Sequence, residues 1–230
     1  MTASSPTKSW PAWLLYVAPM AAFSLVFSLQ DQFATEGQPT RQAIFYMAAI
    51  SVVALVAWLC RETWVDLRPW PTWPQIALSI LVGVLVIVAW VGLDPYYWHP
   101  SFLGKRTSLD PGTITNPGVR LAYLLFRAFG LVLVVPLMEE LFWRSFLMRW
   151  IIDSEFEKVP VGKVTLLAAG ITSAMFALAH PEWLPAVLTG LAWAGLLAYT
   201  GKLSTCWISH MTANAVLGAY VLWSGNWIYV

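Results

Sequence analysis

Seven runs of apolar residues, at about 10–29, 42–60, 75–93, 119–138, 164–179, 184–200 and 204–223, each approach the roughly 20 residues a helix needs to cross a bilayer. Inside lipid a backbone must satisfy its own hydrogen bonds, and a series of such runs resolves as packed helices. The expected fold is therefore all-α: a polytopic transmembrane helical bundle of about seven or eight helices, forming a single integral membrane domain over residues 1–230. The fifth and sixth runs are short and lie close together around Pro181 and Pro185, and the fourth continues as an amphipathic stretch through Ile152, so the count can shift by one.

Composition agrees. Of the 230 residues, 59% are hydrophobic and 11% charged, with mean hydropathy +0.65, which makes lipid the solvent for most of the chain. Many of the fifteen Trp residues stand near the ends of the runs, among them Trp10, Trp13, Trp70, Trp73, Trp90 and Trp98, as interfacial anchors do. A formal charge of +1 without a basic block excludes nucleic acid as an expected partner and leaves membrane lipids. Cys60 and Cys206 are too few for a disulfide framework. The first run exceeds a signal-peptide core and reads as a retained membrane helix.

Two segments interrupt the runs. The stretch 94–117, with the turn signals Asp110-Pro111-Gly112 and Asn116-Pro117-Gly118, is expected as a surface loop or partly re-entrant cap. The proline-dense 68–74 is expected as an interfacial elbow. Counting basic residues favours a cytoplasmic N-terminus, with Lys8, Arg61, Arg68, Arg149, Lys158, Lys163 and Lys202 inside against Arg41, Lys105, Arg106 and Arg120 outside.

Ionisable side chains within membrane helices cost about 2.5–3.5 kcal/mol each on insertion scales and so need a partner or a task. Glu140 and Arg144 are i,i+4 neighbours in the favoured order and can neutralise each other. Glu139, turned about 100° away, has Trp143 at i+4 and no local countercharge. An unpaired carboxylate in an apolar setting holds its proton more tightly, the condition for a general base near neutral pH. The bland reading is that both Glu residues end a helix in water and pair with Arg144 and Arg149. Further along, Phe176 and His180 share a face at i,i+4, where a lone His is more often structural than catalytic. His210 and Asn214 also share a face; together they can bind a developing oxyanion, help hold a cation, or simply bond between helices. Arg127 finds no role, its face lying well away from that of Glu140. Glu182 is expected at the interface and His99 in solvent.

The three motifs, Glu139-Glu140 with Arg144, Phe176 with His180, and His210 with Asn214, occur in order over about 120–223, and here the sequence resembles the CPBP (ABI) family of intramembrane proteases, which includes the type II CAAX prenyl endopeptidases. The motif-bearing core is about 119–223. The resemblance implies a bundle around a polar intramembrane cavity, in which Glu139 and His180 activate a water, His210 and Asn214 stabilise the oxyanion, and Glu140 and Arg144 orient them. It implies a peptide or protein substrate, lipidated or membrane-anchored. Family members are described both as metal-free glutamate-dependent enzymes and as metalloproteases; a divalent metal such as zinc would draw on Glu139, His180 and His210, and only if packing converges them. The wording of 135–149 looks more like the CAAX-protease-related proteins of bacterial exosortase systems, which implies a bacterial inner membrane. The alternative is a non-catalytic scaffold or an immunity or recruitment protein of the same fold. A transporter with a Glu/His proton relay finds no internal repeat to support it.

Overall fold

The structure, a computed structural model, describes residues 10–34, 37–103 and 109–229; Lys8, Lys105 and Arg106, counted above for orientation, lie outside them. Among the described residues there are helices and turns and no strand. Seven helices follow the seven expected runs: α1 (Ala12–Ser28), α2 (Pro39–Leu59), α3 (Trp73–Leu93), α4 (Pro117–Ile152), α5 (Leu166–Leu178), α6 (Trp183–Thr200) and α7 (Leu203–Ser224). By length and apolar composition four of them, α2, α3 with its extension to Tyr96, α4 and α6, can cross a membrane, and α1 and α5 are shorter apolar helices. With Leu125, Leu166 and Leu188 among many exposed apolar side chains, the outer surface suits lipid, and the chain is a membrane protein.

Helix ends follow the turn chemistry. Asn116 caps α4, its side chain accepting from the amides of Gly118 and Val119, with Pro117 as the first helical residue. Thr72 and Gln75 form a capping box at α3. α6 and α7 stop at Gly201 and Gly225, both in the left-handed region.

The fourth run continues through Ile152, as expected, in one helical rod of 36 residues, α4; what the sequence does not signal is that two stretches of it, Gly130–Val134 and Leu141–Leu147, are wound as wide π turns. Such turns insert a residue into the helical repeat and shift the phase of the residues beyond them.

α7 runs through the core, burying Cys206, Ser209, His210, Ala213 and Leu217. Close approach depends on small residues. A Cβ on Gly83 of α3 would lie 2.3 Å from the Ser209 carbonyl oxygen of α7, and one on Gly190 of α6 would lie 2.8 Å from Ser173 of α5. A 3-10 turn, Arg61–Leu67, follows α2 and leads into the expected elbow 68–74, which opens with a cis Arg68–Pro69 bond. The 3-10 turn presents Asp66 to a part-buried polar knot: Tyr16 of α1 donates to Asp66 at 2.7 Å, Arg149 of α4 pairs with it at 2.9 Å, and Ser145 donates to it as well. Arg149, expected among the inside-loop charges or as a partner of the Glu pair, is instead buried in this knot.

Other expectations shift in detail. Trp73 is 83% exposed, as an interfacial anchor would be, but Trp90 turns inward against His180. Glu182 is buried at the start of α6. His99 is exposed, as expected, and pairs with Asp94 at 3.1 Å. In the described part of the long loop the Trp98 carbonyl accepts from the Trp183 indole at 2.8 Å, and Ile114 is buried in the core.

Gly83→Val is expected to lower stability by about 1–3 kcal/mol, the usual cost of overpacking, whereas Gly92→Ala, where an added Cβ meets nothing within 4 Å, is expected to cause no loss. Thermal unfolding in detergent checks both, and equal midpoints for the two variants would contradict the close contact of α3 and α7.

Candidate active site

The Glu pair lies on the α-helical segment Val135–Glu140, between the two π turns of α4. Glu140 is fully buried, and its Oε1 accepts from Arg144 Nη1 at 3.1 Å and from His210 Nδ1 at 2.9 Å. One carboxylate oxygen thus ties α4 to α7. Arg144, 1% exposed, is covered by aromatic faces, its guanidinium carbon 4.8 Å from the Phe176 ring centre and 5.0 Å from that of Trp193. His210 stacks on Trp193 with ring centres 4.2 Å apart, and the Trp193 indole donates to Ser209 at 3.0 Å.

Because a carboxylate only accepts, the His210 Nδ1 carries the proton in this bond, and the ring directs Nε2 to the other Glu. The separation from His210 Nε2 to Glu139 Oε2 is 4.0 Å. That is too long for a hydrogen bond but short enough for one water oxygen to reach both. Glu139 has no hydrogen bond among the described residues, and the expectation of no countercharge within its own helix holds. Its nearest potential cation, His210, comes from α7.

His180 follows the last turn of α5, half-buried. Its Nδ1 bonds the Phe176 carbonyl at 2.7 Å, and since a carbonyl only accepts, Nδ1 is the donor and Nε2 keeps its lone pair. Phe176 and Trp90 hold the ring, with centres 4.4 and 5.7 Å away. A cavity of about 670 Å³ is lined by Glu139, His180 and Trp143, together with Tyr46, Arg127 and Leu131 among others.

Of the six residues expected from the motifs, Glu139, Glu140, Arg144 and His210 thus meet in one cluster, and His180 shares the Glu139 cavity. Asn214 does not join them. Its side-chain amide donates to the Leu131 carbonyl at 2.7 Å, within the π turn Gly130–Val134. A wide turn loosens the carbonyl ladder, and Asn214 takes up one of its acceptors. Among the described residues no three His, Cys, Asp or Glu side chains are arranged to hold a metal ion, so in this arrangement Glu139, His180 and His210 are not a three-ligand set.

Sequence reasoning passed over Arg127. Counted along a regular helix it faces away from the Glu pair, yet it lines the same cavity as Glu139. No feature of the sequence signals the π turn that lies between them.

Residues 121–216 match a family model described as Type II CAAX prenyl endopeptidase Rce1-like, a span that includes all six motif residues. No curated protein and no solved structure matches the chain.

Arg144→Met is expected to leave Glu140 as an uncompensated buried charge and to lower stability by about 3–5 kcal/mol. Thermal unfolding of the purified variant measures this; a midpoint equal to the wild type would remove Arg144 from its supporting role.

Proposed function

We propose, from the match of residues 121–216 to an Rce1-like family model, that the chain is an intramembrane endopeptidase that hydrolyses a peptide bond of a lipidated or membrane-anchored substrate. The observation that carries the reading is the unequal pair: Glu140 Oε1 accepts from both Arg144 and His210, while Glu139 has no hydrogen bond among the described residues and lines a cavity with His180.

The chemistry follows from those side chains. Glu139 takes a proton from a water that His180 Nε2 orients, and the water oxygen forms the bond to the substrate carbonyl carbon. Charge then develops on the carbonyl oxygen, and a donor aimed at that oxygen lowers the barrier. His210, fixed by Glu140 and Trp193, supplies that donor when its Nε2 is protonated. Asn214 acts one step removed, holding the Leu131 carbonyl. Glu139 returns its proton to the departing amine as the C–N bond breaks. The apolar walls, with Phe23, Phe27 and Val135 among them, suit a hydrophobic segment or an acyl or prenyl chain. A bacterial inner membrane, with the N-terminus cytoplasmic, belongs to this reading.

The scaffold reading draws on the same cluster, since Glu140, Arg144, His210 and Asn214 are all engaged in holding helices together. Cleavage of a membrane-anchored reporter in proteoliposomes separates the two. Glu139→Gln and His180→Ala are each expected to lose about 10²–10⁴-fold in turnover, the usual contribution of acid–base groups, while remaining folded. Wild-type rates in both variants would sink the proposal, and absence of cleavage by wild-type protein on any reporter would favour the scaffold.

A further inference from the structure

A second cavity, of about 670 Å³, shares no lining residue with that of Glu139 and has no part in the hydrolysis proposed above. It lies between the start of α1 and the end of α4, above the 3-10 turn Phe156–Lys158. Two apolar helices have their ends here, beside Trp13 and Trp150, which is the chemistry of the headgroup layer. Its volume falls in the range of small-molecule sites.

The inner wall is aromatic and fixed. Phe146 of α4 and Phe156 meet edge to face with ring centres 5.0 Å apart, and Tyr16 of α1 packs on both. The Arg149 guanidinium carbon stands 5.3 Å from the Phe156 ring centre, and Asp66 answers its charge. The cavity thus shares a wall with the knot that ties α1 to α4. Trp13 and Trp150 form the outer part at 48% and 51% exposure, so each indole is anchored on one side and open on the other.

The rim is charged. Glu155, Glu157 and Lys158 are exposed and carry one net negative charge between them. Lys158 pairs with Glu155 at 2.6 Å, a surface contact weak enough to exchange for a ligand. Indole faces beside carboxylates attract an ammonium, since the ring quadrupole and the anionic charge act on it in the same direction. The Lys158 ammonium, next to them, attracts a phosphate. A ligand with both charges a few bonds apart, joined to hydrocarbon, complements this wall and rim together. A headgroup bearing only a phosphate meets the net negative rim without a cation for it.

We propose that this cavity binds a zwitterionic, amine-bearing phospholipid. The indoles of Trp13 and Trp150 and the carboxylates of Glu155 and Glu157 take its ammonium, Lys158 takes its phosphate, and its acyl chains return to the bilayer. A lipid held there joins α1 to α4 from outside, as the Asp66 knot joins them from within, and stabilises the bundle whether or not the protein is an enzyme.

The test uses the full chain in nanodiscs of equal parts phosphatidylethanolamine and phosphatidylglycerol, released into native mass spectrometry. Wild type is expected to retain one phosphatidylethanolamine over phosphatidylglycerol by about 10-fold, the scale of a few exposed cation–π and charge contacts. In Glu155→Gln/Glu157→Gln the ratio should fall to about one, and Trp13→Leu/Trp150→Leu should lose most of the retained lipid. Added phosphatidylethanolamine should raise the unfolding midpoint of detergent-solubilised wild type and leave that of the Gln pair unchanged. The Gln pair alters only exposed side chains, and it decides the matter even if the Leu pair does not accumulate.

Equal retention of the two lipids by wild type, or an unchanged ratio in the Gln pair, overturns the proposal. A preference for phosphatidylglycerol overturns it in favour of an anion site at Lys158. Trp223→Leu, which alters an exposed indole outside this cavity, is expected to keep the wild-type ratio; a loss equal to that of the Leu pair would reduce the effect to general interfacial anchoring and defeat the site. Displacement of the retained lipid by millimolar glycerophosphoethanolamine, with the same rise in midpoint, would assign the cavity to a soluble headgroup and reject the lipid.

Discussion

The arrangement of this bundle depends on one buried carboxylate. Glu140 is removed from solvent, and its Oε1 receives Arg144 from its own helix and His210 from α7. A charge in that setting is tolerable only while both partners stay in place. The partners are in turn enclosed: Arg144 by Phe176 of α5 and Trp193 of α6, and His210 by Trp193. Four helices therefore meet through one ionic contact, and the neighbouring Glu139 is left facing the cavity. Adjacent carboxylates on one helix thus have different environments, one bonded to both Arg144 and His210 and the other without a hydrogen bond among the described residues.

The π turns of α4 give that helix its working geometry. The first, at Gly130–Val134, shifts the phase so that residues before and after it line one cavity, and Asn214 secures its Leu131 carbonyl. The second, Leu141–Leu147, carries Arg144, and beyond it the rod reaches Arg149, where the knot with Asp66 and Tyr16 anchors the 3-10 turn Arg61–Leu67 and α1. Wide turns are often found at functional sites, and here each is braced by a polar side chain from a different element.

Much of this was legible in the sequence. Apolar runs near the thickness of a bilayer determine helix number and order, because lipid leaves the backbone few alternatives. The i,i+4 spacing of Glu140 with Arg144 and of Phe176 with His180 holds through the observed contacts, since such local pairs depend on helix geometry alone. What could not be read depends on phase or on partners distant in the chain. Arg127 reaches the Glu139 cavity only through a π turn that leaves no signature in residue type. Arg149 looks like a loop charge until Asp66, 83 residues away, meets it. Asn214 resembles an oxyanion donor by its spacing from His210, but the carbonyl that claims it belongs to α4.

The central claim, that Glu140 builds the site while Glu139 faces it as the reactive group, is tested most directly by thermal unfolding of Glu139→Gln and Glu140→Gln side by side in the same detergent. The account predicts a midpoint close to wild type for Glu139→Gln and a clear drop for Glu140→Gln, whose amide cannot match the buried charge of Arg144. Equal midpoints, or a larger drop for Glu139→Gln, would contradict it.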